Sequence, residues 1–342
     1  TLRGNQVINH PGDGHFDHNI YPSPLEMSYG RVDFANMPAF EDDQNRGIPK
    51  RSEITMLRDY LNKNHDFRTG MTYYLPRVAS RGSFTGFAET LNDRLSQAAQ
   101  RNANWLFGAS VDSTIDEDLF QTRRPILWGY QAGFGNYEFI NCCGLPYTYS
   151  TVSLTDPANN PAVGIVVLDG SYFGEWDRQN VFLRAVLAQP KYTVAALWGR
   201  QAHLRFERLA LGHTLGEGML DTINDLSQFR TKPNVHLQLL GDPTLRPHVV
   251  PSPTSGRLTA TEREVKLEWQ PAETAPNCHV YLSTTGPSGP FIRMTNKAIP
   301  DGEIILEQAP ADESAFLIRS LRLEETGGGS YWNLSSGLLI TP

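Results

Sequence analysis

The sequence predicts an α/β domain with a mostly parallel sheet covered by helices on both faces, followed by an all-β sandwich. The apolar run at 163–168 is typical of a strand that is buried on both faces of a parallel sheet. Strand-like and helix-like segments alternate as far as residue 240, which indicates parallel strands joined by helical crossovers. A proline-rich linker at 241–253 ends this alternation, and short, regularly spaced strand patterns follow it. A chain of 342 residues is long enough for two such domains.

In the first domain, the clearest helix begins after Ser52, which is the predicted N-cap, and places Ile54, Leu57, Tyr60 and Leu61 on one face. Further strands are predicted at 29–34, 71–75, 104–109, 126–131, 163–168, 193–198 and 235–240, with a turn at 36–40 and helices at 84–100, from 177 onward and at about 203–225. The last of these helices is expected to be interrupted by glycines at Gly212 and at Gly216 to Gly218. In the second domain, apolar and polar residues alternate in strand patterns at 265–269, 279–283, 304–307, 316–323 and 338–340.

Composition and charge narrow the class of protein. Hydrophobic residues make up 39% of the chain and charged residues 20%, values typical of a folded globular protein. The formal net charge is −7 and the basic residues are scattered singly, which argues against a nucleic-acid interface. No apolar run is long enough to span a bilayer. The chain begins with Thr1 and has no signal peptide, so we expect a processed or trimmed piece of a longer precursor.

Two groups of residues suggest metal or thiol chemistry. Asp13, His15 and Asp17 alternate in a glycine-rich loop, as oxygen ligands around a Ca²⁺ ion can. The closing Glu of a complete calcium loop is missing, so a capping turn is the alternative. A structural Ca²⁺ ion is the one cofactor that the sequence raises. The cysteines, including the adjacent Cys142 and Cys143, form neither a disulfide framework nor a metal-binding pattern.

Three segments, taken together in this order, resemble the gingipain-type cysteine peptidases. They are Tyr29-Gly-Arg-Val-Asp-Phe-Ala-Asn-Met-Pro-Ala-Phe40, Asp169-Gly-Ser-Tyr-Phe-Gly-Glu-Trp-Asp177 and Leu240-Gly-Asp-Pro-Thr-Leu245. The resemblance covers roughly residues 9–250 and implies a caspase-like α/β fold with its active site at the carboxyl edge of the sheet. Because the family is mostly secreted, it also implies an extracellular or cell-surface location.

Residues 252–342 resemble a fibronectin type III sandwich, in which Trp269 is the buried tryptophan of an early strand. Together the two resemblances divide the chain into three parts. Residues 1–46 are the end of an N-terminal gingipain-like subdomain, 47–250 a caspase-like gingipain domain, and 251–342 the fibronectin type III-like sandwich.

The residues that the family uses for catalysis are replaced in this chain. In that family a His in a Gly-His-Gly turn follows one strand and a Cys follows the next, so that an imidazole activates a thiolate nucleophile. Carried over to this sequence, those positions are Phe134 and Ser171. A phenyl ring cannot exchange a proton, and a serine hydroxyl without a base is a poor nucleophile. The sequence therefore predicts a pseudopeptidase without catalytic residues, with a binding or scaffolding role toward a protein, a peptide or a glycan.

Two alternatives stay open at this point. The chain could be an active cysteine endopeptidase that uses Cys142 or Cys143 with His203 or His213 as the base. It could also be an adhesion module whose function lies in the fibronectin type III-like domain. Several aromatic residues could line a stacking surface at the former pocket, with core packing as the alternative: Tyr130, Phe134, Tyr137, Tyr172, Phe173 and Trp176.

Overall fold

A computed structural model describes residues 23–42, 47–86, 89–108, 114–115, 117–141, 148–175, 178–199, 204–225, 237–261, 264–307 and 313–341. The chain divides into two compact units. The first comprises residues 1–64, 74–247 and 326–328, and the second comprises residues 65–73, 248–325 and 329–342.

The first unit contains a six-stranded sheet and a smaller antiparallel sheet. Its strands are β1 (Leu75–Gly82), β2 (Thr114–Ile115), β3 (Ile126–Ala132), β4 (Gly135–Asn136), β5 (Phe139–Asn141), β6 (Thr148–Ser150), β7 (Val163–Asp169), β8 (Ala195–Gly199) and β9 (Leu237–Gly241). The large sheet has the order β2-β1-β3-β7-β8-β9, in which all neighbours are parallel except β8 and β9. The predicted mostly parallel sheet is therefore confirmed, and β4-β5-β6 form an antiparallel insertion between β3 and β7.

The centre of the large sheet is buried as its apolar sequence predicts. Every residue of β3 is buried, and in β7 only the last residue, Asp169, is partly exposed. Parallel strands covered on both faces need such continuous apolar runs, because neither face meets water.

Helices lie on both faces of this sheet. They are α1 (Pro38–Glu41), α2 (Glu53–Thr69), α3 (Thr90–Phe107), α4 (Phe182–Leu187) and α5 (Leu215–Asn224). On one face, Asn102 of α3 donates a hydrogen bond to the hydroxyl of Tyr130 in β3, at 2.6 Å. On the other, Tyr60 of α2 and Phe182 of α4 join Val166 of β7 in one buried cluster.

Helix α2 begins where the sequence predicts but buries a different face. The backbone N–H of Thr55 donates to the side chain of Ser52 at 3.3 Å, which confirms the N-cap. Tyr60 is buried, whereas Ile54, Leu57 and Leu61 are exposed, so of the four residues that the sequence places on one face only Tyr60 belongs to the core.

The rotation of α2 follows from the polar ends of its buried side chains. The Tyr60 hydroxyl donates to the carbonyl of Val194 at 3.4 Å, and the Lys63 amine donates to the carbonyls of Leu187 and Gln189 at 2.6 Å each. A buried hydroxyl or amine needs such partners. The helix therefore turns Tyr60 and Lys63 inward, and the apolar residues on the adjacent side remain exposed.

Several element boundaries also differ from the prediction. Residues 104–107, predicted as part of a strand, instead end α3. Strand β1 begins at Leu75, where the predicted strand ends. In the predicted helix at about 203–225, the interruption expected at Gly212 is confirmed, because Gly212 has a φ of 85° and separates a 3-10 turn from α5. The interruption expected at Gly216 to Gly218 is absent, because both glycines lie within α5. The strand predicted at 29–34 is reduced to one bridge between Arg31 and Leu240.

The second unit is a sandwich of antiparallel sheets. Its strands are β10 (Thr254–Ala260), β11 (Val265–Gln270), β12 (Cys278–Ser283), β13 (Ile292–Arg293), β14 (Glu303–Leu306), β15 (Ala315–Thr326), β16 (Gly329–Leu334) and β17 (Leu338–Ile340). One sheet has the order β10-β11-β14; the other has the order β13-β12-β15-β16, with β17 also paired to β15. Trp269 of β11 and Phe316 of β15 meet in a core to which both sheets contribute. No helix within the described ranges is long and apolar enough to cross a membrane.

Candidate functional site

The turns that follow β3 and β7 meet at the carboxyl edge of the large sheet. The backbone N–H of Gly133 donates to the carbonyl of Asp169 at 3.0 Å. A Cβ atom on Gly170 would lie 2.5 Å from the Gly133 carbonyl oxygen, so the two backbones are in contact. The structure thus brings together the turns that carry Phe134 and Ser171, at the edge where open α/β sheets bind their ligands.

Two phenyl rings occupy the point of this edge where the strand order changes direction. The order β2-β1-β3 makes the gap between the ends of β1 and β3 a topological switch point, and such gaps form ligand crevices. Phe84, just after β1, and Phe134, just after β3, pack edge to face there with ring centroids 5.1 Å apart. The side chain of Asn92 holds the turn, because it accepts from the Phe84 N–H at 3.0 Å and donates to the Phe84 carbonyl at 2.8 Å.

A third ring fills the space beneath the turns. Phe173 is fully buried, and its ring atoms lie 2.5 Å from where a Cβ on Gly170 would be and 2.8 Å from where a Cβ on Gly135 would be. Trp198 of β8 donates its indole N–H to the Gly170 carbonyl at 2.9 Å. Positions 135 and 170 therefore require glycine, because the Phe173 ring occupies the space that a side chain at either position would need.

Ser171 and Tyr172 form the outer part of the turn after β7. Ser171 is half-buried, and no residue in the described part of the chain forms a hydrogen bond with its hydroxyl. Tyr172 has a φ of 65°, a rare conformation for a bulky residue, and it leaves half of its side chain exposed. Its carbonyl accepts from the N–H of Glu175 at 3.2 Å. The turn therefore presents an aromatic ring outward.

His213, one of the two bases of the rival peptidase hypothesis, lies at the opposite edge of the sheet. It precedes α5, whose first N–H, that of Leu215, donates to the carbonyl of Leu245 at 2.8 Å. Leu245 follows the end of β9, and Gly241 at that end pairs with Ala195, the first residue of β8. Because β7 and β8 are parallel, this is the amino edge. The structure does not bring His213 to the turn after β7.

The charged groups around His213 have structural partners. Its Nδ1 lies 3.1 Å from Glu217 and 3.3 Å from Arg208. Thr214 and Glu217 form a capping box at the start of α5. The backbone N–H of Thr214, helped by His213 and the Thr214 hydroxyl, lowers the pKa of Glu217 to about 2. At the same edge, burial and the nearby Arg51 lower the pKa of Lys63 well below its ordinary value.

The remaining predicted site residues divide into three groups. Tyr130 and Phe173 are buried core residues. Tyr137 is half-buried beneath the guanidinium of Arg178, which lies 5.8 Å from the ring centroid. Other candidates lie outside the described residues: Asp13, His15, Asp17, Cys142, Cys143, Trp176 and His203. Among the residues that the structure describes, no group of three or more His, Cys, Asp or Glu side chains is placed to hold a metal ion.

Sequence reasoning missed Phe84 and Asn92, which close the crevice. Because β1 was placed too early in the chain, residue 84 was predicted to start a helix and not to follow a strand. The signal that could have found them is the order of the segment: a strand ending at Gly82, a phenylalanine, and an asparagine eight residues later that can bond the turn.

Comparison with known proteins gives a limited similarity. No family model matches the chain, and no curated protein matches it. A fibronectin type III domain of the human KIAA0970 protein is 14% identical with a TM-score of 0.19, over 26% of this chain and 72% of that chain. A fibronectin type III domain of human collagen XX is 19% identical with a TM-score of 0.16, over 26% of this chain and 92% of that chain. The chain is thus weakly similar to fibronectin type III domains over about a quarter of its length.

Proposed function

We propose that this chain is a catalytically inactive, gingipain-like module of a secreted or cell-surface protein, with a caspase-like domain, a fibronectin type III-like sandwich and a binding role. The observation that carries the proposal is the pair Phe84 and Phe134, which fills the crevice where a catalytic imidazole would have to act. The order and direction of the strands in the large sheet support the caspase-like fold.

Two chemical arguments support the loss of catalysis. A nucleophile needs a base within hydrogen-bond reach, and a phenyl ring at 134 offers none. Ser171 has no hydrogen-bonding base among the described residues, and His213 lies at the other edge of the sheet. Loss of one member of such a unit typically lowers the rate by several orders of magnitude.

The surface beside the filled crevice supports a binding role. Tyr172 is held outward in a strained backbone conformation, and strain of this kind is concentrated at functional sites. Nearby in the chain, Arg178 lies over Tyr137 and leaves 58% of its side chain exposed. Exposed aromatic rings with an arginine suit a protein or peptide partner, since these residue types dominate binding energy at interfaces. An aromatic ring can also stack on a glycan.

A peptidase assay tests the loss of catalysis. The purified full chain is incubated with a fluorogenic peptide library before and after alkylation with iodoacetamide, with an active cysteine peptidase as the positive control. We expect no hydrolysis in either sample. Hydrolysis that alkylation removes, and that Cys142→Ser or Cys143→Ser also removes, would overturn the proposal in favour of the endopeptidase.

Binding arrays test whether the chain binds a ligand through Tyr172, and distinguish this from adhesion through the sandwich. Trp332 of β16 is 64% exposed, which is the observation that favours the adhesion alternative. The full chain, Tyr172→Ala and Trp332→Ala are applied to the same peptide and glycan arrays. We expect Tyr172→Ala to lose the ligands of the full chain and Trp332→Ala to keep them. The reverse pattern would assign binding to the sandwich.

A further inference from the structure

Helix α2 carries a row of exposed apolar side chains beside its buried face. Ile54 is 65% exposed, Leu57 40% and Leu61 56%. Isolated exposed apolar residues are common, but three that follow one another at spacings of three and four form a continuous stripe on a helix. The stripe is distinct from the core contact, because Met56 and Tyr60 already supply the buried face of the helix.

The spacing of this stripe is that of a coiled-coil seam. Counting in heptads, Ile54 and Leu61 take the a positions and Leu57 takes the d position between them. A β-branched residue at a with leucine at d favours two-stranded parallel pairing, and Ile54 followed by Leu57 meets this pattern, whereas the second a position, Leu61, is not β-branched. The residues that flank the seam are then Glu53 at g and Arg58 at the following e.

The charges of the two flanking residues are complementary in one arrangement. In a parallel pair, the g residue of one helix faces the e residue five positions later in the other, so Glu53 of each copy faces Arg58 of its partner. Neither residue forms an ion pair with another residue in the described part of the chain. An antiparallel pair would instead place Arg58 near its own symmetry mate.

We propose that a second copy of this chain docks on the α2 stripe, in parallel, with Glu53 and Arg58 pairing across the seam. The interface is short, so the association is concentration-dependent. This inference does not rest on the loss of catalysis, because the stripe lies on a helix that is remote in the chain from the turns after β3 and β7.

Sedimentation velocity of the full chain over a wide concentration range tests the pairing. We expect a monomer–dimer equilibrium that Leu57→Glu shifts to monomer. Ile292→Glu is the matched control, since Ile292 is a 71% exposed residue of the sandwich; it should leave the equilibrium unchanged. Far-UV circular dichroism of both variants checks that the fold is retained. A full chain that stays monomeric at every concentration, or a Leu57→Glu variant that still dimerises, would overturn the proposal.

A charge exchange tests the orientation. Glu53→Arg alone and Arg58→Glu alone each place like charges across the seam, so each variant should dimerise at least tenfold more weakly than the full chain. Mixed together, the two variants form two attractive pairs, and the mixture should dimerise as strongly as the full chain. In an antiparallel pair, Arg58 and Glu53 would each face their own symmetry mates, so neither single variant would be weaker than the full chain and the mixture would be stronger than it. That pattern, or a mixture that restores nothing, would overturn parallel pairing.

Discussion

The two edges of the large sheet differ in what holds them together. At the carboxyl edge, phenyl rings and glycine turns are in close contact, and the hydroxyl of Ser171 has no partner among the described residues. At the amino edge lie two charged side chains with lowered pKa values: Glu217 at the start of α5, and Lys63 of α2 beside the end of α4. Perturbed groups in an α/β enzyme are expected at the carboxyl edge. Here the two charged groups bind helix ends at the amino edge, while burial within β3 raises the pKa of the uncharged Tyr130 hydroxyl.

This difference separates two kinds of stabilisation, one by packing and one by charge. Glu217 bonds the backbone of Thr214, and Lys63 bonds two helix-end carbonyls, so both are accounted for by structure alone. The stability of the carboxyl edge should therefore depend on shape and be insensitive to pH, whereas that of the amino edge should depend on charge. The predictions below test that contrast.

The largest effect is expected for Gly133→Ala at the carboxyl edge. The new Cβ would lie 2.1 Å from the carbonyl oxygen of Asn141, a backbone atom that cannot rotate away. Forced overpacking of this kind costs about 3 kcal/mol. Urea unfolding followed by circular dichroism should show this loss of the free energy of unfolding.

Gly86→Ala is the matched control for this substitution. Gly86 has a φ of 61° and nothing within 4 Å of the Cβ position, so alanine there costs only the backbone conformation, about 1 kcal/mol. Equal losses for the two variants would mean that the turn after β3 is not tightly packed.

A smaller loss is expected for Phe134→Ala. The substitution removes the edge-to-face contact with Phe84, and because Phe134 is only half-buried we expect a loss of about 2 kcal/mol, less than for a fully buried ring. Hydrogen exchange measured by mass spectrometry should localise the effect to peptides from the ends of β1 and β3. Phe134→Leu, which keeps most of the apolar volume, should lose less. A difference between wild type and Phe134→Ala that changes with pH would contradict the contrast between the edges.

The sequence predicted the centre of the fold better than its margins. Strand β7 was found because burial on both faces forces a run of apolar residues. Strand β1 was missed because Pro76, Arg77 and Arg81 interrupt its pattern, and only its middle, at 78–80, is buried. The strand predicted at 104–109 was wrong because Trp105, Leu106 and Phe107 look like a strand in isolation, yet they end the amphipathic helix α3.

The site was predictable only in part, for a related reason. The meeting of the turns at Gly133 and Gly170 follows from parallel strands that end at one edge, which the strand pattern already indicates. The contact between Phe84 and Phe134 depends on where β1 ends, so it could not be predicted once that strand was misplaced. The rotation of α2 was likewise hidden, because it is fixed by the distant carbonyl acceptors of Lys63.

At the amino edge, Thr214→Ala should cost about 1 kcal/mol of unfolding free energy, because the N-cap side chain accepts from the backbone N–H of Glu217. Thr214→Ser is the control, since it keeps the hydroxyl and should lose little. Both variants can be measured by urea unfolding at neutral pH. If alanine and serine behave alike, the capping box does not stabilise α5.

The smallest effect is expected for Glu217→Gln, and it should depend on pH. The pKa of Glu217 is lowered from 4.5 to about 2 in the folded chain, so its ionised form stabilises the fold above the unfolded-state pKa of 4.5. That stabilisation is lost as the pH falls from 4.5 toward 2. Because 41% of the side chain is exposed, water screens the interaction and the contribution should stay below about 1 kcal/mol. The difference in unfolding free energy between wild type and Glu217→Gln should therefore shrink between pH 6 and pH 3. Glu264→Gln, which removes an exposed carboxylate of the sandwich, is the control and should show no change with pH. If the difference for Glu217→Gln also stays constant with pH, the charge of Glu217 does not stabilise the amino edge.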